Sequence, residues 1–154
     1  MQQTNQTAKP APPPSMVDSK YGTALQIRAR KPAELVAILQ DPQGSVYAKA
    51  KACQKLAVTG DATAVPALKA LLGDAQLSHY ARTALETNPS PTAGAALRAA
   101  LSELKGKLLV GVINSIGVRR DRAAIDALAV LTADDDVEVV AAAVAALGRV
   151  RPPL

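Results

Sequence analysis

The 154-residue chain contains no phenylalanine and no tryptophan, and it has a single cysteine and a single histidine. Each shortage excludes something. Without Phe or Trp, and with three tyrosines as the whole aromatic stock, no thick core filled by large rings is available. A core of Ala, Leu and Val suits thin layers of closely packed helices instead. The lone Cys53 excludes an internal disulfide and any multi-cysteine metal site. It stands among apolar helix positions and reads as a small core residue. His79 has no second histidine, and no cysteine or carboxylate at ligand spacing, so no zinc site is expected. No window holds about twenty uninterrupted apolar residues, the length a membrane span requires. The longest candidate, Leu108 to Val118, carries Asn114 and Ser115. A nucleophile–base pair is also missing. Ser78 and His79 are neighbours in sequence, which sets their side chains about 100° apart on a helix. The chain reads as non-catalytic, with no cofactor.

Charge is uneven. The formal net charge of +5 places a basic segment at 91–122 ahead of an acidic end that includes Asp134, Asp135, Asp136 and Glu138. A nucleic-acid binder would carry a basic stripe through the fold, with aromatics for stacking. Solvated helix faces explain this pattern as well. The opening stretch MQQTNQTAKPAPPPSMVDSKYG is polar and rich in Gln, Thr and Pro. Residues 1–30 are therefore expected to be disordered or polyproline-like. The stretch lacks the basic and apolar regions of a signal peptide. It looks like the remainder of a processed export product, which would place the protein in the periplasm or outside the cell, and otherwise in the cytoplasm.

Self-similarity organises residues 31–154. AVPALKALLGD from Ala64 and AIDALAVLTAD from Ala124 share the pattern A-hydrophobic-x-A-L-x-x-L at an offset of 60, with AGAALRAALSEL from Ala93 between them and KPAELVAILQD from Lys31 before. A second helical segment follows each: SVYAKAKACQKLAV, QLSHYARTALET, KLLVGVINSIGV and VEVVAAAVAALGRV. Aligned on Leu56, Leu85, Ile116 and Leu147, they advance by 29, 31 and 31 residues. The positions four before (Ala52, Ala81, Val112, Ala143) and eight before (Ala48, Leu77, Leu108, Val139) are uniformly apolar and predict an inner stripe. Pro32 and Pro66 fall in first turns, where a missing N–H matters little. The expected fold is all-α: about four helical hairpins, near 31–59, 61–87, 91–118 and 121–150, stacked as a right-handed α-solenoid. No hairpin can bury its apolar face alone, so the stack is the folding unit.

These tandem hairpins, with AVPALKALLGD and the AALG ending, resemble HEAT repeats, in the short form of the phycobilisome-lyase type. LSHYARTALE followed by LKGKLLVGVINSIGVRRDRAAIDAL is similar to exported bacterial HEAT-repeat proteins of unassigned activity. The resemblance covers about residues 31–150 and implies a non-catalytic scaffold that binds a protein or peptide. Lyase activity does not carry over, because no catalytic set accompanies the repeats. The last helix ends without a polar capping repeat, which leaves a surface for further repeats or another subunit.

In solenoids of this kind the second helices line the concave side. The positions nine, five and two before each anchor then form a groove. It holds Tyr47, Lys51 and Gln54, then Gln76, Tyr80 and Thr83, then Lys107, Gly111 and Asn114, and finally Glu138, Ala142 and Ala145. His79 and Arg82, one turn apart, flank it. These two read either as a polar contact pair or as a helix surface whose arginine bonds loop carbonyls or Glu86. Gly111, mid-helix, marks a close approach by a partner or by a neighbouring helix. In RRDR from Arg119, Asp121 would cap the next helix, and the arginines either brace carbonyls or form an anion site. Two other classes remain open: a nucleic-acid-binding protein using Lys49, Lys51, Lys55, Lys107 and Arg119, and an accessory subunit of a larger exported enzyme.

Overall fold

The structure, a computed structural model, describes residues 16–152. It is mostly helical. A two-stranded antiparallel hairpin, β1 (Val17–Asp18) and β2 (Gly22–Thr23), leads into the short α1 (Ala24–Arg28). Eight helices follow in pairs: α2 (Pro32–Gln40) with α3 (Val46–Thr59), α4 (Val65–Ala70) with α5 (Ser78–Thr87), α6 (Pro91–Glu103) with α7 (Gly106–Arg119), and α8 (Ile125–Leu131) with α9 (Val137–Val150). Among the described residues no helix is long and apolar enough to cross a membrane.

Local chemistry sets the boundaries. Pro32 and Pro91 occupy first-turn positions of α2 and α6. Ser45 caps α3 by accepting from the Ala48 N–H at 3.1 Å, and Asp136 caps α9 by accepting from Glu138 at 2.9 Å. Asp61 and Asp121, sixty residues apart, each cap a 3₁₀ turn (Ala62–Ala64, Arg122–Ala124) that runs into α4 or α8. The same side chain at the same place in the period performs the same task. The β-branched run of α7 is helical, because its apolar positions fall on the buried side of an otherwise helical layer.

All four aligned anchors are buried, from the fully enclosed Leu85 and Ile116 to Leu147 at 9 % exposure. The column four before is buried throughout. The column eight before departs at one point: Leu108 is only half-buried, and Leu109 takes the inward position. α7 starts at Gly106, whose φ of +58° turns the chain sharply into the helix, so its first turn enters from a different angle. Successive second helices lie against one another: α3 on α5, α5 on α7, α7 on α9.

The expected disorder of residues 1–30 is corrected over 16–30; residues 1–15 lie outside the described segment. α1 packs on α3 and buries Ile27 completely. Its start is a reciprocal cap, in which the Gln26 N–H donates to Thr23 Oγ1 at 3.3 Å and the Thr23 N–H donates to Gln26 Oε1 at 2.9 Å. Two aspartates clasp this segment to the α2–α3 turn. Asp18 accepts from the Lys20 and Tyr21 N–H groups and from the Ser45 hydroxyl at 2.5 Å. Asp41 accepts from Lys20 Nζ at 2.8 Å and from the Tyr21 hydroxyl at 2.5 Å. A polar composition hid the segment, because capping and aspartate hydrogen bonds order it with one large aliphatic anchor.

Candidate functional site

The expected groove residues divide by what they touch. On α3, Tyr47 is half-buried with its ring against the core, and Lys51 Nζ lies 5.5 Å from the ring centroid. Gln54 is engaged: its Oε1 accepts from Arg28 Nη2 at 2.8 Å, tying α3 to α1. Gln76 is exposed in the turn before α5 rather than on the helix. On α5, Tyr80 is half-buried against the core while His79 and Thr83 are exposed. The His79 and Tyr80 rings meet edge to face, with centroids 5.6 Å apart. Lys107 and Asn114 are exposed on α7. Two positions of the outward stripe are corrected, since Gly111 and Ala142 are buried. Neighbouring second helices approach so closely there that the stripe is interrupted.

Arg82 explains the first interruption. Its Nη1 donates to the Gly111 carbonyl at 2.9 Å and to Ser115 Oγ at 3.2 Å, and Ser115 in turn donates to Glu86 Oε1 at 2.6 Å. A Cβ on Gly111 would sit 2.6 Å from Arg82 Nε. The glycine therefore admits a neighbouring helix's guanidinium, and this close approach is internal. Burial pulls the Arg82 pKa below its ordinary value, opposed by the charge of Glu86. Only a weak 3.4 Å contact joins Arg82 Nη2 to His79 Nδ1. The pair is thus split, with Arg82 locking α5 to α7 and His79 facing solvent.

The RRDR segment is similarly divided. Arg119 Nη1 donates to the carbonyls of Leu85 at 2.7 Å and Asn88 at 2.6 Å, closing the end of α5 in the preceding pair. Arg98 pairs with Asp121, which also caps the turn before α8. Sequence reasoning had no pointer to Arg98, or to Ser115 as the bridge between Arg82 and Glu86. Arg98 and Ser115 each stand four residues after a helical glycine, Gly94 in the first turn of α6 and Gly111 within α7, and those glycines were the available signal.

Reactive groups are isolated. Cys53 is fully enclosed, and burial pushes its thiol up to about 12. Ser78 is 4 % exposed with its hydroxyl unpartnered, while His79 points outward. Among the described residues no group of three or more His, Cys, Asp or Glu side chains is placed to share a metal ion. The last pair presents apolar surface instead: Val130, Val137 and Val144 are 74, 79 and 56 % exposed. Against known proteins, no family model and no curated sequence matches the chain.

Proposed function

We propose that the four helix pairs form a right-handed α-solenoid of the HEAT type, and that its second-helix face binds an extended segment of a protein or peptide without chemistry. The observation that carries this reading is the side-by-side packing of α3, α5, α7 and α9 beneath a row of accessible side chains: Tyr47, His79, Tyr80, Thr83 and Asn114. Tyr47 and Tyr80 rest their rings on the core and keep part of each side chain in solvent. Rigid, amphipathic tyrosines of this kind are the residues that dominate binding energies at protein interfaces. The Arg82 lock holds α5 and α7 in one relation, which lowers the ordering cost of binding.

Nucleic acid is a poorer occupant. Arg119 commits its guanidinium to backbone carbonyls, and this removes one of the five cations that a phosphate-tracking surface would use. Affinity capture from the source cells tests the proposal, with the wild-type chain and Tyr80→Ala as parallel baits. The variant should remain folded, losing about 1 kcal/mol of stability, and should retain the partner at least tenfold more weakly. Identical capture by both baits would remove the second-helix face as the binding surface.

A further inference from the structure

Between the start of α6 and the α7–α8 connection lies an open cleft of about 400 Å³, lined by none of the side chains proposed above to meet a partner. Four arginines line it, Arg98, Arg119, Arg120 and Arg122, against one carboxylate, Asp121. The carboxylate is already committed to Arg98 and to the Ala123 N–H, and Arg119 to the carbonyls of the α5 end. Arg120 and Arg122 are exposed, and among the described residues neither has a carboxylate within ion-pair distance or a side-chain hydrogen bond. Like charges converging on one concavity repel one another, and an anion relieves that repulsion.

Two backbone features keep the cleft as it is. Gly94, in the first turn of α6, has Asp121 Oδ2 at 3.1 Å and Arg98 Nη1 at 3.3 Å from where a Cβ would stand, so a side chain there would crowd the ion pair. Arg120 adopts φ 52°, ψ 43°, and is the one non-glycine residue with positive φ among those described. Helices commonly end on glycine in this conformation. Here that conformation closes α7, with the Arg120 N–H donating to the Gly117 carbonyl at 3.1 Å and the Asp121 N–H to the Ile116 carbonyl at 3.3 Å, and it fixes the backbone from which Arg120 lines the cleft.

We infer that this cleft binds the diphosphate group of a small polyanion. One phosphoryl group carries about −1.5 to −2 charge near neutral pH, so the surplus of three positive charges is balanced by two. The planar, multi-donor guanidinium suits phosphate oxygens. The first turn of α6 borders the same space, and its backbone dipole has the favourable sign. The site is independent of the second-helix face and of the partner proposed for it.

Calorimetric titration at low ionic strength tests the inference with three probes: inorganic pyrophosphate, orthophosphate and a nucleoside diphosphate. Pyrophosphate should bind saturably, and at least tenfold more tightly than orthophosphate. Equal or tighter binding of the nucleoside diphosphate identifies the natural source as a nucleotide, and weaker binding a bare diphosphate. The double variant Arg120→Gly/Arg122→Ser, whose glycine suits the left-handed backbone, should remain folded and lose at least tenfold in pyrophosphate affinity. Lys49→Ser/Lys51→Ser/Lys55→Ser removes more charge elsewhere and should bind as the wild type does. Absence of saturable binding, an unchanged affinity in the arginine variant, or an equal loss in the lysine variant would overturn the inference.

Discussion

Arg82 and Gly111 show how one side chain can set the spacing of two helices. Gly111→Ala should gain about 1 kcal/mol from helix propensity, yet its methyl would lie 2.6 Å from Arg82 Nε. The contact outweighs the propensity, and the variant should be less stable. Arg82→Met removes the guanidinium and leaves the Ser115–Glu86 hydrogen bond without its cation; the expected loss is about 1–3 kcal/mol. Urea denaturation of both single variants and the double variant checks this. The double variant should be more stable than the sum of the singles implies, because the methyl then meets no guanidinium.

At the scale of elements, the segment from β1 to α1 is held by charge. Hydrogen bonds from Lys20 and Tyr21 hold the Asp41 carboxyl well below the ordinary carboxylate range. Burial raises the Asp18 pKa, but donations from Ser45, Tyr21 and Lys20 outweigh it and leave it lowered. A carboxylate whose pKa is depressed by folding adds stability above its unfolded value, about 3.9, and that stability is lost as pH falls toward the folded value. The melting temperature should therefore fall from pH 5 to pH 3, and Asp41→Asn should shrink that fall. A slope equal to that of the wild type would show that the clasp contributes nothing. This segment was the least legible part of the sequence. Its signals were the Thr23–Gln26 cap and a single aspartate, Asp18, with no periodic apolar pattern. The paired helices were legible because a period near thirty residues repeats the same apolar spacing in every layer. Burial of Leu56, Leu85, Ile116 and Leu147 follows from that spacing. The interruption of the outward stripe at Gly111 and Ala142 does not, because it depends on the distance between neighbouring helices.

Across the whole molecule, stability rests on contacts between layers. Leu85 is fully enclosed where α5 joins the core. Leu85→Asp leaves an unpaired charge there and should cost several kcal/mol, a large fraction of the roughly 5–15 kcal/mol typical of a domain. Circular dichroism should report loss of helix at 25 °C, and a full helical signal with an unchanged melting point would refute the layer assignment. Polar ties join the same layers. Asn88 Nδ2 donates to the Asp61 carbonyl at 2.8 Å, Thr87 donates to the Ala57 carbonyl at 2.6 Å, and Arg119 closes the α5 end from the next pair. Each joins residues at or just beyond a helix end to backbone about thirty positions earlier in the chain.

The fit of a guanidinium into the space left by a missing methyl also constrains how this sequence can drift. Alanine at 111 displaces the Arg82 guanidinium from its hydrogen bonds, and a shortened residue 82 forfeits the same bonds, so the first of the two changes carries a loss that the second does not repeat. The two positions are therefore expected to change together rather than singly. Related chains should carry arginine with glycine, or a small residue with any small residue, and very rarely the mixed combination of arginine with alanine.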